Sequence, residues 1–287
     1  MPKYIIITPA RDEEAYIHKT ILAVVQQTTR PEQWIIVDDG SRDRTGAIID
    51  GYAAAHPWIK PVHRSNRGFR QAGGGVIDAF NQGYEQIESL DWDFIVKLDA
   101  DLSFAPDYFE RCFTEFEKDE SLGIGGGSIY HEQDGTLKLE PNPMFHVRGA
   151  TKIYKRECWV KLGGLLRAPG WDTVDEVKAN MLGWTTRSFP HLQVSHYRFT
   201  GAADGEWKDS VKNGRANYIA GYHPVFMLVK CVRRVAAKPY LTGAMGLLWG
   251  FLSGYFARAA RVEDPELIRY TRTQQMRRVL FLGSIWK

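Results

Sequence analysis

Three short apolar runs, each cut off by a polar, acidic cluster, constrain this chain most. Tyr4–Thr8 stops at Pro9 and passes into ARDEE, Trp34–Val37 stops at DDGS, and Phe94–Leu98 stops at DAD. Such runs read as strands buried on both faces. Between them lie helical signals. Ile17, Ile21, Leu22, Val24 and Val25 form an apolar stripe within residues 12–27, and Asp43–Ala55 and Gly75–Ser89 also read as helices. Pro61–His63 reads as a further strand. Strands alternating with helices predict a mostly parallel sheet covered on both faces, with ligands bound at the carboxyl ends of the strands. Thr8–Glu14, Asp38–Ser41 and Asp99–Asp101 all fall at such ends.

The middle of the chain is more mixed. Gly123–Tyr130 and Leu137–Leu139 flank Asp134-Gly135 as a hairpin, and Thr151–Tyr154 reads as a strand. Asp172–Leu182 reads as a helix with Asp172 at its N-cap and Gly183 as its stop.

The acidic clusters carry the chemistry. In Asp99-Ala100-Asp101 alternate side chains share a face, so both carboxylates converge at a strand end. Two carboxylates beside a diphosphate make sense with Mg²⁺ or Mn²⁺ between them. A helix N-cap with solvated turn acids is the plainer reading of the same residues. Asp39 is placed to accept from a base N–H or a ribose hydroxyl, while Ser41 and Asp43 suit capping of the next helix. Asp12 and Glu13 open a helix, where acids favour its dipole.

In order, TPARDEE, VDDGSRDRT and KLDADL resemble the family 2 glycosyltransferases of the GT-A fold, over about residues 3–200. The resemblance implies a Rossmann-like mixed α/β sheet with a C-terminal helical extension. It implies that Thr8, Pro9, Arg11 and Glu13 line a nucleotide pocket and that Asp39 binds base or ribose. It further implies that Asp99, next to Ala100, meets ribose or metal, and that Asp101 ligates a Mn²⁺ or Mg²⁺ ion bridging the donor diphosphate. Asn66-Arg67-Gly68 and Arg70 match a loop that reaches the donor. Gly149 and Ala150 match small residues that let the donor sugar approach the backbone, with Arg156 a weaker candidate. His196 resembles a late histidine near the metal or diphosphate, and Arg198 is placed to neutralise phosphate.

An inverting transfer needs a carboxylate to take the acceptor proton. The family places it as the Asp of a Glu-Asp pair at a helix start. Here a gapless match puts Trp171 at the Glu and Asp172 at the Asp, so the pair is incomplete; Asp175 and Glu176 are the alternatives. Two other classes share these features: a nucleotidyltransferase, and a non-catalytic nucleotide-sugar-binding protein on the same fold. The former would want a basic, Gly-rich loop after the first strand, where TPARDEE is acidic.

The net charge of +3 hides an asymmetry. Residues 226–287 hold eleven Lys/Arg against three Asp/Glu, a local +8 that leaves −5 on residues 1–225. This predicts a catalytic domain over 1–225 and a basic, Gly-rich helical extension over 226–287. Residues 239–257 carry no charge, and Gly246, Gly250 and Gly254 recur every four residues. That spacing suits membrane contact, soluble packing or homodimer formation alike. The implied partners are a nucleoside-diphosphate sugar, a glycan or lipid-linked acceptor and an anionic membrane surface, with no nucleic acid. Three widely spaced cysteines and an early acidic turn at the N-terminus predict a cytoplasmic protein, and the basic tail adds peripheral contact with the cytoplasmic face of the membrane.

Overall fold

A computed structural model of the chain describes every residue except 1, 67, 69–73, 90, 134–135, 199–204, 237–238 and 287. Strand β1 (Tyr4–Ala10), helix α1 (Ile17–Val25), β2 (Gln33–Asp38), α2 (Thr45–Ala55), β3 (Ile59–His63), α3 (Gly74–Tyr84) and β4 (Phe94–Leu98) form the first half. Then come β5 (Leu102–Phe104), α4 (Tyr108–Lys118), β6 (Leu122–Gln133), β7 (Thr136–Leu139), β8 (Thr151–Lys155), α5 (Arg156–Leu162), α6 (Trp171–Met181) and β9 (Thr185–His196). Four helices close the chain: α7 (Glu206–Ile219), α8 (Pro224–Arg234), α9 (Tyr240–Phe256) and α10 (Pro265–Val279).

The strands join in the order β3-β2-β1-β4-β8-β6-β9-β5, with β7 paired to β6. The expected parallel sheet is present in β3-β2-β1-β4. Beyond it, β8 runs antiparallel to β4 and β6, so the whole sheet is mixed. Successive residues of the apolar runs enter opposite cores. Tyr4, Ile6, Trp34, Ile36 and Val96 join α1 and α4 on one face. Ile5, Ile7, Ile35, Val37 and Ile95 meet α3 and α6 on the other. Both faces are buried, which is why these runs show no polar alternation.

Several boundaries differ from expectation. Helix α1 begins at Ile17, because residues 12–14 bond to the loop after β2 and do not cap a helix. The backbone N–H groups of Asp12, Glu13 and Glu14 donate to Ser41, Thr45 and Asp43. Asp12 and Glu14 in turn accept from the backbone of Arg42 and Arg44. Asp172 is not an N-cap. The cap position is Gly170 in a left-handed conformation at φ 86°, so Asp172 lies inside the first turn of α6. Strand β9 was not apparent from the sequence, since Pro190 interrupts it and its pairing with β6 shifts register between Gly127 and Ser128. The hairpin turn at Asp134-Gly135 lies outside the described residues.

The last four helices form a third core with Val174 and Val177 of α6, centred on Tyr218, Met227, Leu247 and Phe251. The glycine stripe of α9 faces α7. A Cβ on Gly250 would collide with the Val211 carbonyl oxygen, and one on Gly254 with the Tyr218 ring. The small residues therefore serve contact between two helices of the same chain. Among the described residues no helix is long and apolar enough to cross a membrane.

Candidate active site

The carboxyl ends of β1, β2 and β4 bring the three acidic clusters together. Ala10 pairs with Asp38 in register, and Asp39 N–H donates to the Ala10 carbonyl at 2.8 Å. Gly40 adopts φ +72°, and a Cβ there would lie 2.5 Å from Asn66 Cα, so glycine lets the loop after β3 close over the end of β2. That closure assembles one group. Arg64 Nη1 donates to Asp39 Oδ1 at 2.7 Å, and Arg11 Nη1 lies 3.7 Å from Asp39 Oδ2. Arg11 Nη2 also donates to Asn66 Oδ1 at 3.1 Å. Arg64 escaped sequence reasoning; its place directly after β3 is the signal that could have found it. Pro9 is half-buried at the end of β1. Thr8 is fully buried, and its hydroxyl accepts the Trp34 indole N–H at 2.9 Å. Arg70 lies outside the described residues.

A second group surrounds the DAD turn. Asp101 Oδ2 lies 3.2 Å from His196 Nε2 and 3.5 Å from Arg198 Nε, and Arg198 also pairs with Glu13. Burial works to raise the Asp101 pKa, but the hydrogen bond from His196 and the charges of His196 and Arg198 bring it below the ordinary value. Glu13 is pushed up to about 7, first by burial and then by the Asp101 charge. Asp99 pairs with Lys97, whose ammonium also donates to the Gly149 carbonyl at 2.6 Å. Ala100, between Asp99 and Asp101, is buried. Lys97 sits inside a strand buried on both faces, which marks it in retrospect. His131, also missed, places its ring 5.2 Å from that of His196.

The third group is the start of α6. Lys152 is fully buried and binds Asp175 Oδ1 at 2.7 Å and Glu176 Oε1 at 2.8 Å. Tyr154 donates to the other Asp175 oxygen at 2.5 Å, while His146 and the Val147 N–H satisfy Glu176 at 2.8 and 2.7 Å. Asp172 differs from both, since its carboxylate makes no hydrogen bond or ion pair among the described residues. Burial would raise its pKa, but His146, Lys152, Arg148 and Lys97 together hold it below the usual carboxylate value. Gly149 packs against it, with an added Cβ 2.8 Å from Trp171 Cζ2 and 3.2 Å from Asp172 Cβ. Trp171 in turn lies 5.5 Å from both the Lys97 and the Lys152 ammonium. Arg156 lies apart from all three groups, its side chain donating to the Trp92 carbonyl at the other end of β4.

The site thus joins a buried carboxylate between two guanidinium groups, an Asp–His–Arg cluster and an unpaired, ionised aspartate. Among the described residues no set of three or more His, Cys, Asp or Glu side chains is arranged to hold a metal ion alone.

Comparison with known proteins gives the family and the fold. The family model described as "Glycosyl transferase family 2" matches residues 5–166, more than half of the chain. The uncharacterized glycosyltransferase EpsJ of Bacillus subtilis is 28% identical over 141 residues, 49% of this chain and 38% of that protein. An undecaprenyl-phosphate 4-deoxy-4-formamido-L-arabinose transferase of Shewanella sediminis is 29% identical over 170 residues, 57% of this chain and 46% of that protein. The matched stretches therefore span less than half the length of either relative. Among solved structures, a mannosyltransferase of Pyrobaculum calidifontis in complex with GDP-Man and Mn²⁺ aligns over 99% of this chain and 76% of its own, with a TM-score of 0.57 at 16% identity. That likeness shows the fold, GT-A.

Proposed function

The chain belongs to glycosyl transferase family 2, and from that premise we propose that it moves a sugar from a nucleoside-diphosphate donor to an acceptor hydroxyl, with inversion at the anomeric carbon. The observation that carries this reading is Asp172. It is the one acid of the 172–176 group whose oxygens are not consumed by buried partners, and four nearby cations keep it ionised. A carboxylate of that kind suits removal of the acceptor proton. Asp175 and Glu176 are positioning residues that fix the first turn of α6 through Lys152. On the donor side, Asp39, held between Arg11 and Arg64, is assigned to the base or ribose, with Pro9 and Asn66 beside it. Asp99 faces the ribose, and Gly149, with no side chain, lets the Trp171 ring pack beside Asp172.

The DAD cluster fits a divalent cation. Asp101 Oδ2 and His196 Nε2 are 3.2 Å apart, close to the ~3 Å between adjacent ligands of an octahedral ion at about 2.1 Å. Asp101 and His196 would hold Mn²⁺ or Mg²⁺, with donor phosphate oxygens completing the shell. Bound there, the ion would neutralise charge on the departing diphosphate. Arg198 and Glu13 adjust the charge around that place. The test is calorimetry of UDP and GDP binding with and without Mn²⁺. The metal-dependent gain in affinity should vanish in Asp101→Ala, and an unchanged gain would refute the metal assignment.

The division of labour follows the charge asymmetry, with residues 1–225 carrying donor chemistry and 226–287 facing the acceptor. The glycine face of α9 is occupied, but its outer face exposes Tyr240, Leu241, Met245, Trp249 and Phe256. Arg258 stands exposed at its end. This combination supports reversible contact with an anionic membrane on its cytoplasmic face, close to a glycan or lipid-linked acceptor. A homodimer through the C-terminal helices would compete for the same surface.

A further inference from the structure

A cavity of about 370 Å³ opens beside the start of α6, between the loop that carries Phe145 and His146, helix α8 and residue 286. It reaches the turn of α6 that carries the proposed base. Thr173, which lines it, follows Asp172 in the first turn of α6. His146, another lining residue, is the largest of the charges that hold Asp172 ionised. The phenol of Tyr222 on the opposite wall is pushed up first by burial and then by the charges of Asp172 and Glu176, so that wall also faces the acid.

The walls have a definite chemistry. Trp286 stands edge-on to three rings, with centroids 5.2 Å from Phe145, 6.1 Å from Tyr222 and 6.0 Å from Phe226. Aromatic walls of this kind hold the apolar face of a sugar ring or a hydrocarbon chain. Along α8, Phe226, Val229, Lys230 and Arg233 follow helical spacing and turn one stripe toward the cavity. The Lys230 ammonium lies 5.4 Å from the Tyr222 ring centroid. Arg233 is exposed, and its guanidinium makes no hydrogen bond or ion pair among the described residues. No carboxylate lines the cavity among those residues. Two cations without a countercharge at the rim of an aromatic box favour an anion that brings an apolar body with it.

We propose that this cavity is the acceptor subsite and that it selects an acceptor carrying a phosphate or carboxylate group beside an apolar ring or chain. The inference rests on the sugar-transfer reading with Asp172 as base. Lys230 and Arg233 hold the anion and touch no reacting atom. The acceptor O–H proton passes to the Asp172 carboxylate, the new bond forms from that oxygen to the anomeric carbon, and the bond from that carbon to the donor phosphate breaks with its electron pair leaving on the nucleoside diphosphate.

A sugar phosphate and an isoprenoid phosphate would present the same anion, and direct binding separates them. Glucose 1-phosphate and farnesyl phosphate are titrated calorimetrically against the full chain, with glucose and micellar farnesol as uncharged counterparts. At least one phosphate probe should bind tenfold or more tightly than its counterpart, and the K230A/R233A double variant should lose that preference. Arg233 is exposed, and Lys230, whose ammonium is pushed down to about 8 by burial, gives up a 3.5 Å contact to Asn217; retained UDP or GDP affinity checks that the variant is folded. A lead for glucose 1-phosphate identifies a glycan acceptor, and a lead for farnesyl phosphate a lipid-borne one. Equal binding of charged and uncharged probes, or a preference that survives in the double variant, overturns the proposal. Binding is read without turnover, so failure of the wild type to cleave any nucleotide sugar counts against sugar transfer and is a separate result.

Discussion

At the residue scale, the start of α6 holds three acids in three different surroundings. Glu176 and Asp175 lie against the same buried ammonium, and burial pushes Asp175 up to about 6. Asp172 shares the surroundings but keeps a pKa below its ordinary value, because nearby cations outweigh its burial. A carboxylate with a depressed pKa is ionised above that value and loses its charge only as pH falls through it. The acid limb of the kcat profile due to Asp172 should therefore lie below the ordinary aspartate value of about 3.9, leaving no such limb between about pH 5 and 8. Asp172→Asn should lower kcat by about 10²–10⁴-fold with donor affinity near wild type. An effect confined to Asp175→Asn would transfer the role to Asp175. None of this separation was visible in GWDTVDEV, where the three acids differ only by position. Lys152, Tyr154 and His146 make the difference, and they arrive from other elements.

At the scale of elements, the pairing of α7 with α9 is the tightest helix contact that glycine explains. A side chain at Gly250 meets the backbone of Val211 and cannot be relieved by a rotamer change. Gly250→Val should destabilise the fold by about 1–3 kcal/mol or more, read as a lower midpoint of thermal unfolding. Gly51 is the control. It lies within α2 with nothing within 4 Å of an added Cβ, so Gly51→Ala should stabilise by up to about 1 kcal/mol. Equal effects of the two substitutions would mean that the α7–α9 contact is not tight. The glycine spacing itself was legible. Its partner was not, because one face of small residues fits a lipid-embedded helix, a second copy or a neighbour in the same chain equally well.

At the scale of the whole molecule, charge and exposed apolar surface gather at one end of the sequence. Residues 226–287 carry a local +8, and Leu228 and Val232 of α8 are exposed along with the outer face of α9. Each Lys or Arg near an anionic leaflet contributes about 1 kcal/mol, and the attraction fades beyond a Debye length of about 8–10 Å. Flotation with phosphatidylserine-containing liposomes should show binding that weakens as salt rises but does not vanish, with Trp249→Ala/Phe256→Ala removing the salt-resistant part. Absence of binding at low salt would leave the surface to protein contact.

The parallel half of the sheet and the meeting of its acidic clusters were legible in the residues alone. Buried strands announce themselves as unbroken apolar runs, and parallel strands in one sheet place their carboxyl ends side by side whatever follows. The sequence also carried the family resemblance, because those clusters are local and contiguous. Only the tertiary structure decided what each acid does. The Asp12–Glu14 segment looked like a helix start and proved to be a loop bonded to residues 41–45. Asp172 looked like a cap and proved to be unpaired inside a helix. Arg64, Lys97 and Lys152 acquired roles that no local pattern marks. The physical reason is that the state of an ionisable group depends on which charges lie within a few ångströms and how much water is excluded. Those distances are set by β4, β8 and α6 packing together, elements separated in the chain by tens of residues.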